Sequence, residues 1–438
     1  MSSDTPKYWS INEIVDKETL REIQNKRFAK FLKRISKVEF YQKKFKEAGL
    51  KFDEIKDISE LSRLPFTTKK DMRDHYPFGL FAVPQKKVVR IHSSSGTSGK
   101  PTVVGYTRKD LEIWCEVLAR VFTMAGVGKN DTVHNAYGYG LFTGGLGAHY
   151  GAETVGASVV PSSSGFTERQ LMLLRDFGAT AISCTPSFAM HLADHAKALG
   201  YDLKKDFKLK AGIFGAEPTS KALKQAIAQA WGINYHDIYG LSEILGPGVA
   251  GGCGKSEGMH IFEDHFYPEI IDPKTGEVLP DGERGELVIT TLTKEAIPLL
   301  RYRTGDVTSI KTGKCPCGRN LRMIESIVGR SDDMVIINGV NVFPSQVEHV
   351  LSTIEGLSLN YQIVLSKKGY LDKIEVKVEM SDDFNFDSIS AIENLQKETA
   401  AKLLTNLFIH ASVNIVEPRS IGASDTKIKR VIDKRNEA

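Results

Sequence analysis

The chain has 438 residues, 41% hydrophobic and 26% charged, an ordinary globular make-up at a length beyond one compact core, so two or three units are expected. Lys and Arg total 58 against 54 Asp and Glu, a net charge of +4, too mild a balance for a nucleic-acid or membrane-surface binder. The N-terminus MSSDTPKYWSINEIVDKETL has no basic run leading into an apolar core, and no apolar run reaches the roughly 18 residues of a membrane span. Five cysteines make no disulfide framework, so the expected location is cytoplasmic.

From about Ile11 to Gly49 apolar residues recur at helical spacing among Lys, Arg and Glu, predicting amphipathic helices that cover a larger body. LPFTTKKDMRDHYPFG, from Leu64 to Gly79, predicts a turn into a capped helix with Thr67 or Thr68 as N-cap. HSSSGTSGKPTVVGYT, from His92 to Thr107, places hydroxyls, two glycines and one lysine before an apolar, β-branched run. Such a loop can bend closely around an anion and aim hydroxyls, amides and an ammonium at it, which is phosphate chemistry. It is not a Walker A loop, because Ser94 and Pro101 stand where that motif needs glycine and a hydroxyl residue. Alone, the run reads equally well as a polar linker.

Beyond it the pattern alternates. A helix near Lys109–Met124, a strand at Asp131–Ala136, a Gly/aromatic stretch and a strand at Ala157–Val160 come first. A helix at Thr167–Phe177, a strand at Thr180–Cys184, a helix at Pro186–Leu199, a strand at Leu209–Phe214 and a helix at Ser220–Trp231 follow. Alternation predicts parallel βα units, whose ligands gather at the C-terminal ends of strands. AYGYGLFTGGLG (Ala136–Gly147) holds three aromatics and five glycines, suited to lining a flat cavity. FGAEP (Phe214–Pro218) and DIYGLSE (Asp237–Glu243) each end a strand with Gly and a carboxylate, a pattern that also serves structural turns.

From His260 the texture becomes β-rich, with PKTGE and PDGERGE turns, predicting a separate antiparallel unit. After GRSDDMVIINGVNVFPSQVE (Gly329–Glu348) a small α+β domain is expected. It has a strand near Val335–Ile337, a helix from Ser345, strands around Tyr361–Leu365 and Lys373–Glu379, a helix from about Ser388 to Leu407 and a strand at Ser412–Val416, before a basic tail. Cys315 and Cys317 in KCPCGRN, with Cys253 and His260 in GGCGKSEGMH, compose a closed tetrahedral zinc set of the structural kind. His265 is a competing imidazole, and reduced, unliganded thiols are the alternative.

LPFTTKKDMR, SSSGTSGKPTVVGYT, AYGYGLFTGGLGAHYGAE, IYGLSE, HIFEDHFYPEIIDP, RYRTGDVT, GRSDDMVIINGVNVFPSQVE and TKIKRVIDKR follow one another along nearly the whole chain. In that order they resemble the adenylate-forming enzymes that activate carboxylic acids with ATP, and within them the phenylacetate–coenzyme A ligase family. The resemblance implies an α/β fold: a large N-terminal domain of parallel βα sheets, residues 1–330, with a β-rich subdomain at about 250–330. A small mobile α+β domain, 331–438, would pivot at Asp332.

The implied reaction joins an aryl or arylacetic acid, phenylacetate foremost, to AMP and then to coenzyme A, releasing pyrophosphate and AMP. The implied cofactors are ATP, Mg²⁺ and coenzyme A. Ser93, Ser95, Thr97, Ser98 and Lys100 would cradle phosphates, Glu243 would hold Mg²⁺, and Ala216, Glu217, Pro218, Asp237, Ile238 and Tyr239 would surround adenine. Asp306 would take the ribose hydroxyls, assisted by Arg330. Tyr137, Tyr139, Gly140, Phe142, Gly144 and Gly145 would form the acyl pocket, with core packing the alternative for the rings. Lys427, or else Lys429, would reach the α-phosphate in the first step. Asn338 stands where the family usually has arginine, and Thr426 where it has glycine. A second reading hands the acyl group to a carrier-protein thiol or another nucleophile, and a third is a non-enzymatic nucleotide or metal binder. No attached carrier domain is evident, which favours coenzyme A, and a homodimer fits the family.

Overall fold

Helices α1 (Lys17–Ile35) and α2 (Glu39–Glu47) lead the part of the chain that a computed structural model describes, residues 7–93, 101–217, 219–330, 335–337, 340–368, 371–381, 389–407, 409–421 and 430–435. The chain divides into two units, Met1–Glu217 with Gln225–Ser326, and Pro218–Lys224 with Ile327–Ala438. In the first, α1 is capped by Asp16, which accepts the Thr19 N–H at 2.8 Å, and buries Leu20, Phe28, Phe31, Leu32 and Ile35 along one stripe. The cap of α3 (Lys69–Asp74) is Thr68, in a reciprocal box with Asp71. Thr67 is instead buried and donates to the Leu300 carbonyl at 2.7 Å.

Strands β1 (Arg90–Ser93) and β2 (Val103–Tyr106) pair antiparallel, so the hydroxyl-rich run joins the two arms of a hairpin. Then come α4 (Arg108–Met124), β3 (Thr132–Asn135), α5 (Thr143–Thr154), β4 (Ser158–Val160), α6 (Thr167–Asp176), β5 (Ala181–Cys184), α7 (Pro186–Ala198), β6 (Ala211–Phe214), α8 (Lys221–Trp231) and β7 (Asn234–Leu241). The alternation predicted from sequence is present, and β3 to β7 form a parallel sheet in the order β4-β3-β5-β6-β7. α5 is an addition, since its four glycines read as loop. They are there for close approach: a Cβ on Gly147 would lie 2.7 Å from the Trp114 ring, and one on Gly151 would lie 2.3 Å from Leu118. Packing against α4 outweighs the poor helix propensity of glycine.

The remaining strands are β8 (Gly246–Gly251), β9 (Met259–Ile261), β10 (Phe266–Ile271), β11 (Arg284–Thr291), β12 (Tyr302–Lys311) and β13 (Met323–Ile324). The antiparallel texture expected from His260 is there, but these strands do not stand apart as a separate sheet. β7 pairs parallel with β6 through Asn234–Asp237 and antiparallel with β8 through Ile238–Leu241. From β8 the path continues β9-β13-β12-β11-β10. Hydrophobic alternation identifies strands but not their partners, so this junction lies beyond what the pattern can say.

A buried ion pair ties α4 to this second half. Arg120, 1% exposed, donates from both terminal nitrogens to Asp264 at 2.8 and 2.9 Å and from Nε to Glu116 at 2.6 Å. Arg27 also donates to the Asp264 carbonyl. Burial would raise the Asp264 carboxyl, but His265, Arg120 and Arg27 hold it well below the usual carboxylate range.

In the second unit, strands Leu357–Lys368 and Leu371–Met380 pair antiparallel. Ala411–Val416 runs parallel to the latter and Val431–Asp433 parallel to the former. Helices Pro344–Leu351 and Ile389–Leu407 complete it, over a core that includes Val347, Leu351, Tyr361, Ile363, Val376 and Leu403. This is the small α+β domain expected. Among the described residues no helix is long and apolar enough to cross a membrane.

Arg120→Met should lower stability by about 3–5 kcal/mol, because Asp264 keeps its charge in a buried place with its main partner gone. Urea unfolding of the variant against the parent measures this, and a midpoint unchanged would remove the pair's structural role.

Candidate active site

The loop after β6 and the strands β7 and β12 meet where β7 changes partner. At the end of β6, Gly215 is buried because a Cβ there would lie 2.4 Å from the Ile238 carbonyl, and Ala216 takes a left-handed backbone, φ +69°. A non-glycine residue held in that region marks a backbone constrained by its surroundings. Glu217 accepts from the Ser187 hydroxyl at 2.8 Å and amide at 3.2 Å. Asp237 is half-buried and its carbonyl accepts the Gly252 N–H at 2.9 Å. Tyr239 donates its hydroxyl to Asp306 Oδ2 on β12 at 2.6 Å, and both residues are buried. The Thr304 hydroxyl accepts the Asp306 N–H at 3.0 Å. Tyr239 and Asp306, expected to serve adenine and ribose from distant motifs, are thus neighbours.

Glu243 lies in the turn after β7, 4% exposed, with Lys69 Nζ 3.5 Å from its Oε1. The adjoining Ser242 hydroxyl bonds that of Thr143 at 3.0 Å, and Tyr106 donates to the Leu245 carbonyl at 3.0 Å. A buried carboxylate facing one loosely held ammonium is a donor suited to a hard cation.

The Gly/aromatic loop adjoins both neighbourhoods. Ser93 N–H and His92 Nδ1 meet the Leu141 carbonyl at 3.2 and 3.0 Å, pinning the hairpin to it. Tyr137 is buried, which pushes its phenol well above the usual range, and Cys184, Glu217 and Asp237 act the same way. Tyr139 accepts from Asn135 at 2.7 Å and bonds His149 at 3.1 Å. Asn135 also donates to the Gly145 carbonyl at 2.8 Å. Gly140 has φ +116°, and Phe142 is 47% exposed. A Cβ on Gly144 would strike the Phe142 ring at 2.3 Å, and one on Gly145 the Gly138 carbonyl at 2.5 Å.

Ser95, Thr97, Ser98, Lys100, Pro218, Asp332, Asn338, Thr426, Lys427 and Lys429 lie outside the described residues. Arg330 ends a two-residue strand of the second unit.

Sequence reasoning missed Lys294. It is 2% exposed, its Nζ stands 4.1 Å from the centre of the Tyr106 ring, and it has no hydrogen-bond partner among the described residues. Burial pushes its amine down to about 8, against the pull of Asp110 and Glu243. In TTLTKEAIP a Lys-Glu pair reads as a solvated turn, and only the enclosing elements reveal otherwise.

Away from this region, the structure brings Cys253, His260, Cys315 and Cys317 together, all buried, their ligand atoms within 4.8 Å of one another. His265 is elsewhere, bonded to the Thr293 hydroxyl at 2.8 Å.

Two family models match the chain, AMP-binding enzyme over residues 30–293 and AMP-binding enzyme C-terminal domain over 339–435. A phenylacetate-coenzyme A ligase of Thermus thermophilus is 46% identical, covering 97% of this chain and 98% of the relative. One from Pseudomonas putida is 48% identical, covering 97% and 96%. Among solved structures, a 2-hydroxyisobutyryl-CoA ligase in the postadenylation state superposes with a TM-score of 0.92 at 28% identity, covering 100% of this chain and 94% of that one. The chain is therefore an AMP-forming acid–CoA ligase and belongs to the phenylacetate–coenzyme A ligase family.

Proposed function

We propose that this chain condenses phenylacetate, or a close aryl acid, with coenzyme A at the expense of ATP. The acid's carboxylate oxygen attacks the α-phosphorus and pyrophosphate leaves; the coenzyme A thiol then attacks the acyl carbon, its proton passes to solvent, and AMP departs. The observation that carries this reading is the Tyr239–Asp306 bond of 2.6 Å, which puts an aromatic face and a carboxylate side by side for a nucleoside. In it, Ser93, Ser95, Thr97, Ser98 and Lys100 hold the outer phosphates. Ala216–Pro218 and Asp237–Tyr239 flank adenine, Asp306 accepts the ribose hydroxyls, and Arg330 assists. Glu243 is the residue for Mg²⁺, which when bound offsets phosphate charge. Tyr137, Tyr139 and Phe142, with Gly140, Gly144 and Gly145, give the acid a flat, apolar wall. Asp332 is the pivot and Lys427 the cation on the α-phosphate. No disulfide joins any of the five cysteines, which suits a cytoplasmic location, and a structural zinc is assigned to Cys253, His260, Cys315 and Cys317.

Pyrophosphate release measured with a panel of aryl, arylacetic and aliphatic acids should favour phenylacetate, and thioester should form only when coenzyme A is present. Acid-dependent pyrophosphate without any thioester would favour a different acceptor. Lys427→Ala should abolish adenylation while sparing thioester formation from supplied acyl-adenylate; equal loss of both steps would unseat that assignment.

Lys294→Met separates stability from activity. Below pH 8 the folded chain carries a buried charge and bears the whole penalty. Between about 8 and 10.5 the unfolded chain keeps a proton that the folded one has lost, so stability rises with pH. The variant should therefore be more stable at pH 7 by up to about 3 kcal/mol and lose that advantage near pH 10. Its adenylation rate should fall about tenfold, the charge near Glu243 being gone. Denaturant titrations at pH 7 and 10 and a single-turnover assay check both halves.

A further inference from the structure

The zinc assignment rests on a set of four. Cys253 follows β8, His260 is on β9, and Cys315 and Cys317 lie in the turn between β12 and β13. Because β9 lies between β8 and β13, with His260 opposite both Gly251 and Met323, the sheet register itself gathers them. Cys253 Sγ is 3.5 Å from Cys315 Sγ, and Cys317 Sγ is 3.3 Å from His260 Nε2. The first distance is far from a disulfide, and both match the edges of a tetrahedron about one ion, roughly 3.3–3.8 Å for Zn–S near 2.3 and Zn–N near 2.0 Å. His260 Nδ1 faces the Leu321 carbonyl at 3.1 Å, which keeps the proton there and leaves Nε2 for the metal. The Arg319 N–H points at Cys317 Sγ at 3.4 Å, as expected around a thiolate. All four ligands are buried, so no open position remains for catalysis.

Resting on that reading, we infer that the metal centre fastens the N-terminal strap, residues 7–15, to the antiparallel half of the large unit. The turn that carries two ligands also carries several groups that grip the strap, which is held elsewhere by Asn12 donating to Asp264 Oδ2 at 3.0 Å. Arg319 donates from Nε to Glu13 at 2.5 Å, with side-chain exposures of 3% and 0%, and from a terminal nitrogen to the Lys7 carbonyl at 3.1 Å. Asn320 receives the strap backbone as a strand partner would. Its N–H donates to the Glu13 carbonyl at 3.0 Å, and its side chain donates to the carbonyls of Ile14 and Val15 at 2.8 and 3.1 Å. Tyr8 closes the far end by donating to the Cys317 carbonyl at 2.9 Å. Gly318, at φ +87°, must be glycine, because a Cβ would stand 2.5 Å from the Tyr8 hydroxyl. A short turn of glycine and proline cannot hold an arginine against a buried glutamate unaided, whereas two metal bonds at Cys315 and Cys317 fix its frame.

The test uses the full chain. Metal analysis after purification should give about one zinc per chain. Hydrogen exchange followed by mass spectrometry, before and after chelation with phenanthroline, should then show at least tenfold faster exchange in peptides covering residues 7–15, reversed by Zn²⁺ and not by Mg²⁺. The parallel strands β5 and β6 should be unaffected. Absence of zinc with all four ligand side chains free overturns the metal assignment and the strap with it. Zinc present but exchange of the strap unaltered by its removal overturns only the inference drawn here. Because ligand variants can fail to fold, Glu13→Gln supplies a second arm: it should retain the zinc and still speed exchange in the strap, and unchanged exchange there would count against the link.

Discussion

Everything about the large unit depends on one strand changing partners. The first half of β7 completes a parallel sheet, and its second half begins an antiparallel one. A parallel neighbour leaves loops at strand ends, and an antiparallel neighbour brings a strand back alongside. At the changeover, therefore, the loop after β6, the backbone of β7 itself and the side chains of β12 can face a common space. Gly215 and Gly240 are what let the backbones come so close, since a Cβ on either would lie within 2.4 Å of a carbonyl oxygen. The site is a product of topology before it is a product of any particular side chain.

The same reasoning explains the expense of the surroundings. Buried charges cluster around the strand: Glu243, Asp306, Lys294 and Asp110 are each less than a tenth exposed. Asp110 is compensated by backbone donors, accepting from Thr107, Glu295 and Ala296 at 2.6–3.0 Å. Among the described residues, Lys294 has only a ring face and distant carboxylates. Protein cores avoid buried charges, and a cluster of them is a common mark of a functional site.

Much of this was legible in the chain. Strand and helix alternation gave the parallel sheet, the turn at Thr67 and Thr68 announced the capped helix α3, and the CxC turn with a distant histidine gave the cluster of three cysteines and one histidine. Four things were not. The helix α5 is hidden because glycine lowers local propensity, and its reward comes from Trp114 and Leu118, residues of another helix. The junction at β7 is hidden because an alternating pattern does not name its neighbours. Lys294 is hidden because burial of a lysine is decided by Tyr106 and α4, far away in sequence. The choice between His260 and His265 likewise needed the register of β9, since both sit in equally plausible stretches of sequence.

The glycines of the aromatic loop bear on how such a chain can diversify. Gly144 is sealed by the Phe142 ring, and Gly145 by the backbone of Tyr137 and Gly138. Adding bulk at Gly145 would displace main chain, whereas at Gly144 it would have to move the Phe142 ring. Phe142, nearly half exposed, and Leu141, 65% exposed, meet no such barrier. Under the proposed assignment of this loop to the acid, relatives that accept larger or smaller acids differ at that rim and keep glycine at Gly145.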